Sequence, residues 1–413
     1  MPKQTPTDYT QPHQALPPLP NLRHLTAALE VNRVGSINRA AERVHLSQSA
    51  ITQGLAKLER ALAVELFTRS PTGVFTTEAG QCFLARIERA IASLAKIDGL
   101  FAEGSSGKNR QLHRLLTSTQ LRALISVVEH GSYTLAANQL GLAQPTVHRA
   151  VRELESLCRQ TFFSRSPAGV EPLWPARQVA RLASLFFAEY HQAIEALAEL
   201  AGSHSGSLRV GSLPLARTRL VPHAVTQLLA EYPNAQVSII DGPYEEQLHS
   251  LLHGQSDVIV GALRYPPPSP HIQQELLFSD PLHIVVRPGH VLAKRAPTSA
   301  AELQGLSWIA PKINTPARGV FSRFFLDQGF TPPARVIECS SLVAIRGLLL
   351  ESDRVALLSA QQVEVEVQAG LLAVCPQALP GSRREIGLTL RRDWLPTNLQ
   401  QRFLALLRAG NQA

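Results

Sequence analysis

The feature that most constrains this chain is a text written twice. Residues Gly35 to Gly80 read GSINRAAERVHLSQSAITQGLAKLERALAVELFTRSPTGVFTTEAG, and a related text follows 96 residues later, from Gly131 to Ala176. Aligned without a gap, 14 of the 40 positions from Gly35 to Val74 are identical. Ordinary composition would give roughly two or three. The matches include Gly35/Gly131, Ala41/Ala137, Gln48/Gln144, Glu59/Glu155, Arg69/Arg165 and Gly73/Gly169. The chain must therefore build one small unit twice.

The first copy reads as a helix from Asn21, a turn at Gly35-Ser36, a short second helix through Ala40, Ala41 and Val44, and a third helix behind the N-cap Ser47. Ile51, Leu55 and Leu58 recur at helical spacing and face a core. That turns Ser47, Gln48, Ser49, Thr52 and Gln53 outward, as a helix entering a DNA major groove requires. On one isolated helix, ordinary solvated positions would be the better explanation. Here turn, cap, following hairpin and repeat agree. The hairpin Leu66 to Val74 carries Arg69, placed for phosphate.

In the second copy Gln144, Pro145, His148, Arg149 and Arg152 point outward and Val147, Val151 and Leu154 inward, with Arg165 on the hairpin. Ala143 replaces the capping Ser at a cost of about 1 kcal/mol. This copy either touches DNA or serves a structural or dimerising role.

A long apolar stripe follows each copy: Phe83, Ile87, Ile91, Leu94, Ile97 and Phe101 after the first, then Val179, Leu182, Phe186, Tyr190, Ile194 and Leu197 after the second. The period suits helix–helix packing, within one chain or between chains, or simple coverage of the helix's own domain. After Gly202–Gly206 the texture changes to short apolar strands alternating with amphipathic helices, an α/β pattern. A first half ends on the strand Val258–Val260, and the rest, including a final helix around Leu399–Arg408, builds a second lobe.

Ala40-Ala41 with Leu46-Ser47-Gln48, then Leu58-Glu59, Leu66-Phe67-Thr68-Arg69 and Thr77-Glu78-Ala79-Gly80 resemble the winged helix-turn-helix of LysR-type transcriptional regulators. The family pattern has Pro at Ser49 and Gly at Ala63, and a non-Gly residue in a left-handed turn costs roughly 1 kcal/mol. In the second copy Arg159 and Gln160 replace Gly-Val, and Trp174 and Pro175 replace the polar turn. Val210-Gly211, Gly254-Gln255-Ser256-Asp257 and Arg354-Val355-Ala356-Leu357-Leu358 are similar to the effector domain of the same regulators, a two-lobed fold like type 2 periplasmic solute-binding proteins. The run DGPYEEQLHSLLHGQSDVIVGALR resembles the galactose-binding-protein-regulator subgroup, whose members respond to sugars.

The resemblance implies a multidomain protein: a tail at 1–20, a winged helix-turn-helix at 21–80 with its motif at 36–55, a linker helix at 81–103 and a flexible joint at 104–116. A second winged copy at 117–176 with its motif at 132–151, a second linker helix at 177–201 and an effector domain at 206–410 complete it. The family's linker helix pairs between subunits. The implied partners are double-stranded DNA, a small-molecule effector (a sugar or small organic acid), further copies of the chain as homodimer or homotetramer, and RNA polymerase.

Open α/β sheets bind ligands outside the strand C-termini, at helix N-termini and crossovers. That selects the loop Ser212 to Thr218, with Leu215 in it, then Tyr244, Thr315 in the loop Pro311 to Arg318, and Ser340 with Ser341, while Arg264 or Arg318 would add charge for an acid. Each Ser is also an ordinary helix cap, and each Arg an ordinary surface residue.

The net charge of +8 favours polyanions weakly. Cys82, Cys158, Cys339 and Cys375 lack CxxC spacing, which argues against a disulfide framework or structural zinc. His249 and His253, four apart, lack a third ligand, so no metal or cofactor is expected. No nucleophile elbow, P-loop or HExxH motif occurs, so an enzyme is not expected. No apolar run reaches the roughly 18 residues of a membrane helix and the N-terminus lacks a signal-peptide core, so the chain is expected in the cytoplasm. The competing reading is a solute-binding protein without a DNA role, against which the missing signal and the basic N-terminal half speak.

Overall fold

A computed structural model describes residues 19–71, 73–101, 111–167, 169–297 and 299–410. The chain divides into two compact units, Met1–Ser203 and His204–Ala413.

In the first unit, α1 (Leu22–Val34), α2 (Ile37–Val44) and α3 (Gln48–Leu62) precede the antiparallel hairpin β1 (Phe67–Ser70) and β2 (Gly73–Thr76) and the long α4 (Glu78–Leu100). The same order recurs as α5 (Ser118–His130), α6 (Tyr133–Leu140), α7 (Gln144–Cys158), β3 (Phe163–Ser166), β4 (Gly169–Pro172) and α8 (Trp174–Leu200). Gly35 and Gly131 end α1 and α5 in left-handed turns at φ 64° and 61°, as the sequence predicts. Each turn is fastened to its hairpin by a backbone bond, Val74 N–H to Gly35 C=O at 3.1 Å and Val170 N–H to Gly131 C=O at 2.8 Å.

One core runs through both segments, and a second, smaller one fills the space among α5, α6 and α7. Phe83, Ile87, Leu94 and Ile97 of α4 are fully buried with Val179, Phe186, Tyr190 and Leu197 of α8. Each such side chain contributes roughly 1.5–3 kcal/mol on burial. The α4–α8 seam is the largest helix–helix contact in the chain. The linker helices therefore pair within one chain.

The expected tail lies outside the described residues up to position 18, and so does the joint between 102 and 110. The remainder of that joint is structured: Leu112–Leu115 is a 3-10 turn, and Leu112 and Leu116 are buried. The backbone N–H of His113 donates to the Asp98 carboxylate of α4 at 3.0 Å, and its Nδ1 lies 2.6 Å from the same group.

The second unit contains β5 (Ser205–Ser212), α9 (Leu220–Glu231), β6 (Asn234–Ile240), α10 (Tyr244–Leu252), β7 (Val258–Ala262), β8 (Ile272–Asp280) and β9 (Leu282–Val286). It continues with α11 (Ala300–Gln304), β10 (Trp308–Ala310), α12 (Pro316–Asp327), β11 (Val336–Glu338), α13 (Leu342–Leu350) and β12 (Val355–Ser359). The short α14 (Glu364–Gln368), β13 (Ala373–Ala378), β14 (Arg384–Arg391) and α15 (Asn398–Ala409) finish it.

These strands form two five-stranded sheets, in the orders β6-β5-β7-β14-β8 and β11-β10-β12-β9-β13. The chain crosses from the first sheet to the second between β8 and β9 and returns between β13 and β14. The sequence reading ends the first half at β7 and places the last helix in the second lobe. The structure corrects both assignments. β8 and β14 belong to the first sheet, and Leu399, Phe403 and Leu407 of α15 pack into the core with β5 and α9. Among the described residues no helix is long and apolar enough to cross a membrane.

Candidate functional site

Two features stand out: a pair of exposed helical faces in the first unit, and a cleft in the second.

Ser47 caps α3, accepting from Ala50 N–H at 3.1 Å. Ile51, Leu55 and Leu58 are buried, which leaves Ser47, Gln48, Ser49 and Gln53 exposed and Thr52 half-buried. Glu59 clamps the helix to its hairpin: one carboxylate oxygen accepts from Leu66 N–H at 2.9 Å and Phe67 N–H at 3.1 Å. Glu155 does the same in the second copy, accepting from Phe162 N–H at 2.8 Å. Arg69 and Arg165 are exposed on the hairpins. The predicted outward faces are thus built in both copies.

The second face differs in detail. Gln144, Pro145 and Arg149 are exposed, whereas His148 is half-buried, its ring centroid 5.1 Å from that of Tyr133. Burial pushes the Tyr133 phenol up to about 12, so it stays neutral beneath His148. Arg152 is not free: it pairs with the clamp residue Glu155 at 3.0 Å. Ala143 leaves α7 without a side-chain cap, and Arg159 adopts the left-handed conformation at φ 53° just as Ala63 does at 52°.

The cleft encloses about 810 Å³ between residues of both sheets. Leu215, Thr218, Tyr244, Arg264, Thr315, Ser340 and Ser341 line it, as the strand-end argument predicts. Ser341 also caps α13, accepting from Ala344 N–H at 3.4 Å. Two predicted residues lie outside the lining. Ser212 is fully buried, its carbonyl accepting from Arg217 Nε at 2.9 Å and Gln247 Nε2 at 3.3 Å. Arg318 donates to the Pro311 carbonyl at 3.0 Å and pairs with Glu338 at 3.6 Å. Arg217 and Lys312, which lie in the selected loops Ser212 to Thr218 and Pro311 to Arg318 but were not singled out there, also line the cleft, and so does Arg384, which sequence reasoning missed.

Charge in the cleft is unevenly matched. Arg217 pairs with Asp241 at 3.5 Å and Arg384 with Asp280 at 2.5 Å. Arg264 stacks on the Tyr244 ring with its guanidinium carbon 4.3 Å from the centroid. Desolvation lowers the pKa of Arg264, and desolvation raises that of Tyr244 against the opposing effect of the guanidinium. Among the described residues Arg264 and Lys312 have no ion pair. Asp280 ends β8 at the crossing between the sheets, and also accepts from Ser359 Oγ of β12 at 2.6 Å.

A family profile described as the LysR substrate binding domain matches residues 201–412. A second, described as the bacterial regulatory helix-turn-helix protein, lysR family, matches residues 22–81 and 118–173. The chain belongs to the LysR family. It is a DNA-binding transcriptional regulator with an effector-binding domain. It is 32% identical over 390 residues to the HTH-type transcriptional regulator GalR of Pseudomonas putida, covering 94% of this chain and 97% of that one. It is 26% identical to the HTH-type transcriptional regulator GbpR of Azospirillum brasilense over 70% of this chain and 85% of that one. A full-length OxyR variant from Pseudomonas aeruginosa matches its fold with a TM-score of 0.54 and 22% identity, over 72% of this chain and 95% of that one. The GalR alignment is long enough to run through both helix-turn-helix segments; the other two leave more than a quarter of the chain unmatched.

Proposed function

We propose that this regulator arose by internal duplication of its winged helix-turn-helix, that both copies read DNA, and that it senses a small carboxylic acid between the two lobes of its effector domain. The helix–turn–helix frame supports the first two points. In both copies the same glycine turn, the same glutamate clamp and the same hairpin hold a polar helix face outward. Gln48 and Gln144 occupy the same place on those faces and suit adenine edges. Arg69 and Arg165 suit phosphate, which positions the protein without reading sequence.

The observation that carries the effector class is Arg264, a half-buried cation stacked on Tyr244 that makes no close ion pair among the described residues, Glu245 of the cleft acting on it only from further off. A carboxylate would supply that partner through a charge-assisted pair. Thr218, Thr315, Ser340 and Ser341 add hydroxyls, so a hydroxylated or sugar-derived acid fits better than a neutral sugar. This also accommodates the likeness to the galactose-binding-protein-regulator subgroup.

Effector binding then acts on the hinge. Arg384 lines the cleft and holds Asp280 at the crossing, so an anion competing for Arg384 would loosen that crossing and shift the two lobes. The regulator would work in the cytoplasm as a homodimer or homotetramer alongside RNA polymerase. Titration calorimetry with a panel of hydroxylated carboxylates and their neutral analogues tests the effector class. One acid should bind to the native protein and lose roughly ten-fold or more in Arg264→Gln. Binding of the neutral analogue with undiminished affinity in Arg264→Gln contradicts it.

A further inference from the structure

The α4–α8 seam specifies more than compactness. Along it Arg86 of α4 meets Gln192 of α8 at 3.3 Å, and Arg89 meets Glu189 at 3.3 Å. Rising numbers on one helix meet falling numbers on the other, so the helices are antiparallel. Shifting by the 96-residue repeat gives the pairs that a two-fold axis would generate: Lys96 with Leu182, and Ser93 with Leu185. One half of the seam is polar where the other half offers leucine. Arg86 is only 6% exposed and Gln192 only 2%, so the polar half lies inside the protein.

This asymmetry selects against pairing of like helices. Two α4 helices from separate chains in this register would put the solvent-exposed Lys96 of the other copy, in place of Gln192, opposite the buried Arg86, twice. Two α8 helices would set Glu189 against Leu185. A buried charge that meets a like charge or a hydrocarbon is strongly disfavoured. Only the unlike pair satisfies both. The turn at Leu112–Leu115, tied to Asp98, brings the chain straight back onto its own α4 before α5 begins.

We propose that one chain is a complete DNA-reading pair, with α3 and α7 as its two unlike readers, and that its DNA partner is a non-palindromic site made of two different half-sites. The proposal rests on both copies reading DNA. The readers share Gln48/Gln144 and differ at Thr52/His148 and Gln53/Arg149. The first face is neutral and the second basic. A shared glutamine calls for one common base in each half-site, and the differing positions call for different neighbours, with Arg149 suited to guanine.

The test is enrichment of binding sequences from a random duplex pool by the full-length protein and by its Gln53→Ala and Arg149→Ala variants. Both residues are exposed, so both variants should fold. The expected result is a motif with two unlike halves, one relaxed only by Gln53→Ala and the other only by Arg149→Ala, each by roughly ten-fold in preference. A palindromic motif whose two halves both change with Gln53→Ala overturns the proposal, because two copies of α3 would then be the readers. If the native protein enriches no motif, DNA reading itself fails, and this proposal with it.

Discussion

The two helix-turn-helix segments share one skeleton and differ in its reinforcement. In the first, Ser47 caps α3 and Thr77 caps α4, accepting from Gly80 N–H at 2.9 Å. In the second, Ala143 and Leu173 stand at those places and neither offers a side-chain cap. What both have is the set of contacts that fixes the position of α3 and α7: the left-handed glycine, its bond to the hairpin, and the glutamate clamp. Gly73 and Gly169 show the same constraint. Both have positive φ, at 147° and 137°, and a Cβ on Gly169 would lie 2.4 Å from the Gly131 carbonyl oxygen. Caps adjust stability by about 1 kcal/mol and can be lost singly. The clamp and the glycine turn decide where the face points, so losing them would misplace it.

The largest expected effect separates the copies at one aligned position. A Cβ on Gly80 would sit 2.1 Å from the Leu66 carbonyl oxygen, a backbone atom that cannot step aside. Gly80→Ala should cost about 3 kcal/mol and visibly lower Tm. The second copy already carries Ala176 there, fully buried. Ala176→Gly should cost only about 1 kcal/mol, from lost helix propensity and burial. Equal Tm losses would mean that the copies do not pack their fourth helix differently.

Next comes the clamp. Glu59→Ala leaves two hairpin amides unpaired, and should cost about 2 kcal/mol in chemical denaturation. Glu155→Ala should cost somewhat less, since one hairpin amide bond is at stake and the freed Arg152 is exposed. Reversal of that order would show that the second hairpin depends on its clamp more than the first.

The smallest effect is a gain. Ala143→Ser should restore the missing cap and raise stability by about 1 kcal/mol, while Ser47→Ala should lower it by the same amount. A neutral Ala143→Ser would mean that α7 satisfies its first amides in another way.

The first unit was largely legible in the sequence because its signals are local. Gly35, Ser36, Ser47 and the helical spacing of Ile51, Leu55 and Leu58 each act within a turn or two, and the repeat doubled every signal. The second unit was less legible because its topology is not local. β14 pairs with β7 and β8 from more than a hundred residues away, and no nearby residue records that pairing. The final helix was misplaced for the same reason. In the cleft, strand-end logic found Tyr244, Arg264 and Ser341, but it could not decide which way a side chain turns. Ser212 points into the core and Arg318 turns back to Pro311 and Glu338. The pairing of α4 with α8 was written in polar partners, Arg86 with the Gln192 amide and Arg89 with the Glu189 carboxylate, yet that pattern is visible only once the register is known.

The account stands on both copies gripping the same duplex. Its most direct test is the salt dependence of affinity for the regulator's DNA site, measured for the native protein, Arg69→Ala and Arg165→Ala. Each substitution removes one exposed cation from one hairpin. Each should flatten the log–log salt slope by about 1 while leaving sequence preference intact. A slope that falls for Arg69→Ala and stays unchanged for Arg165→Ala would contradict the account, because the second copy would then be scaffold alone.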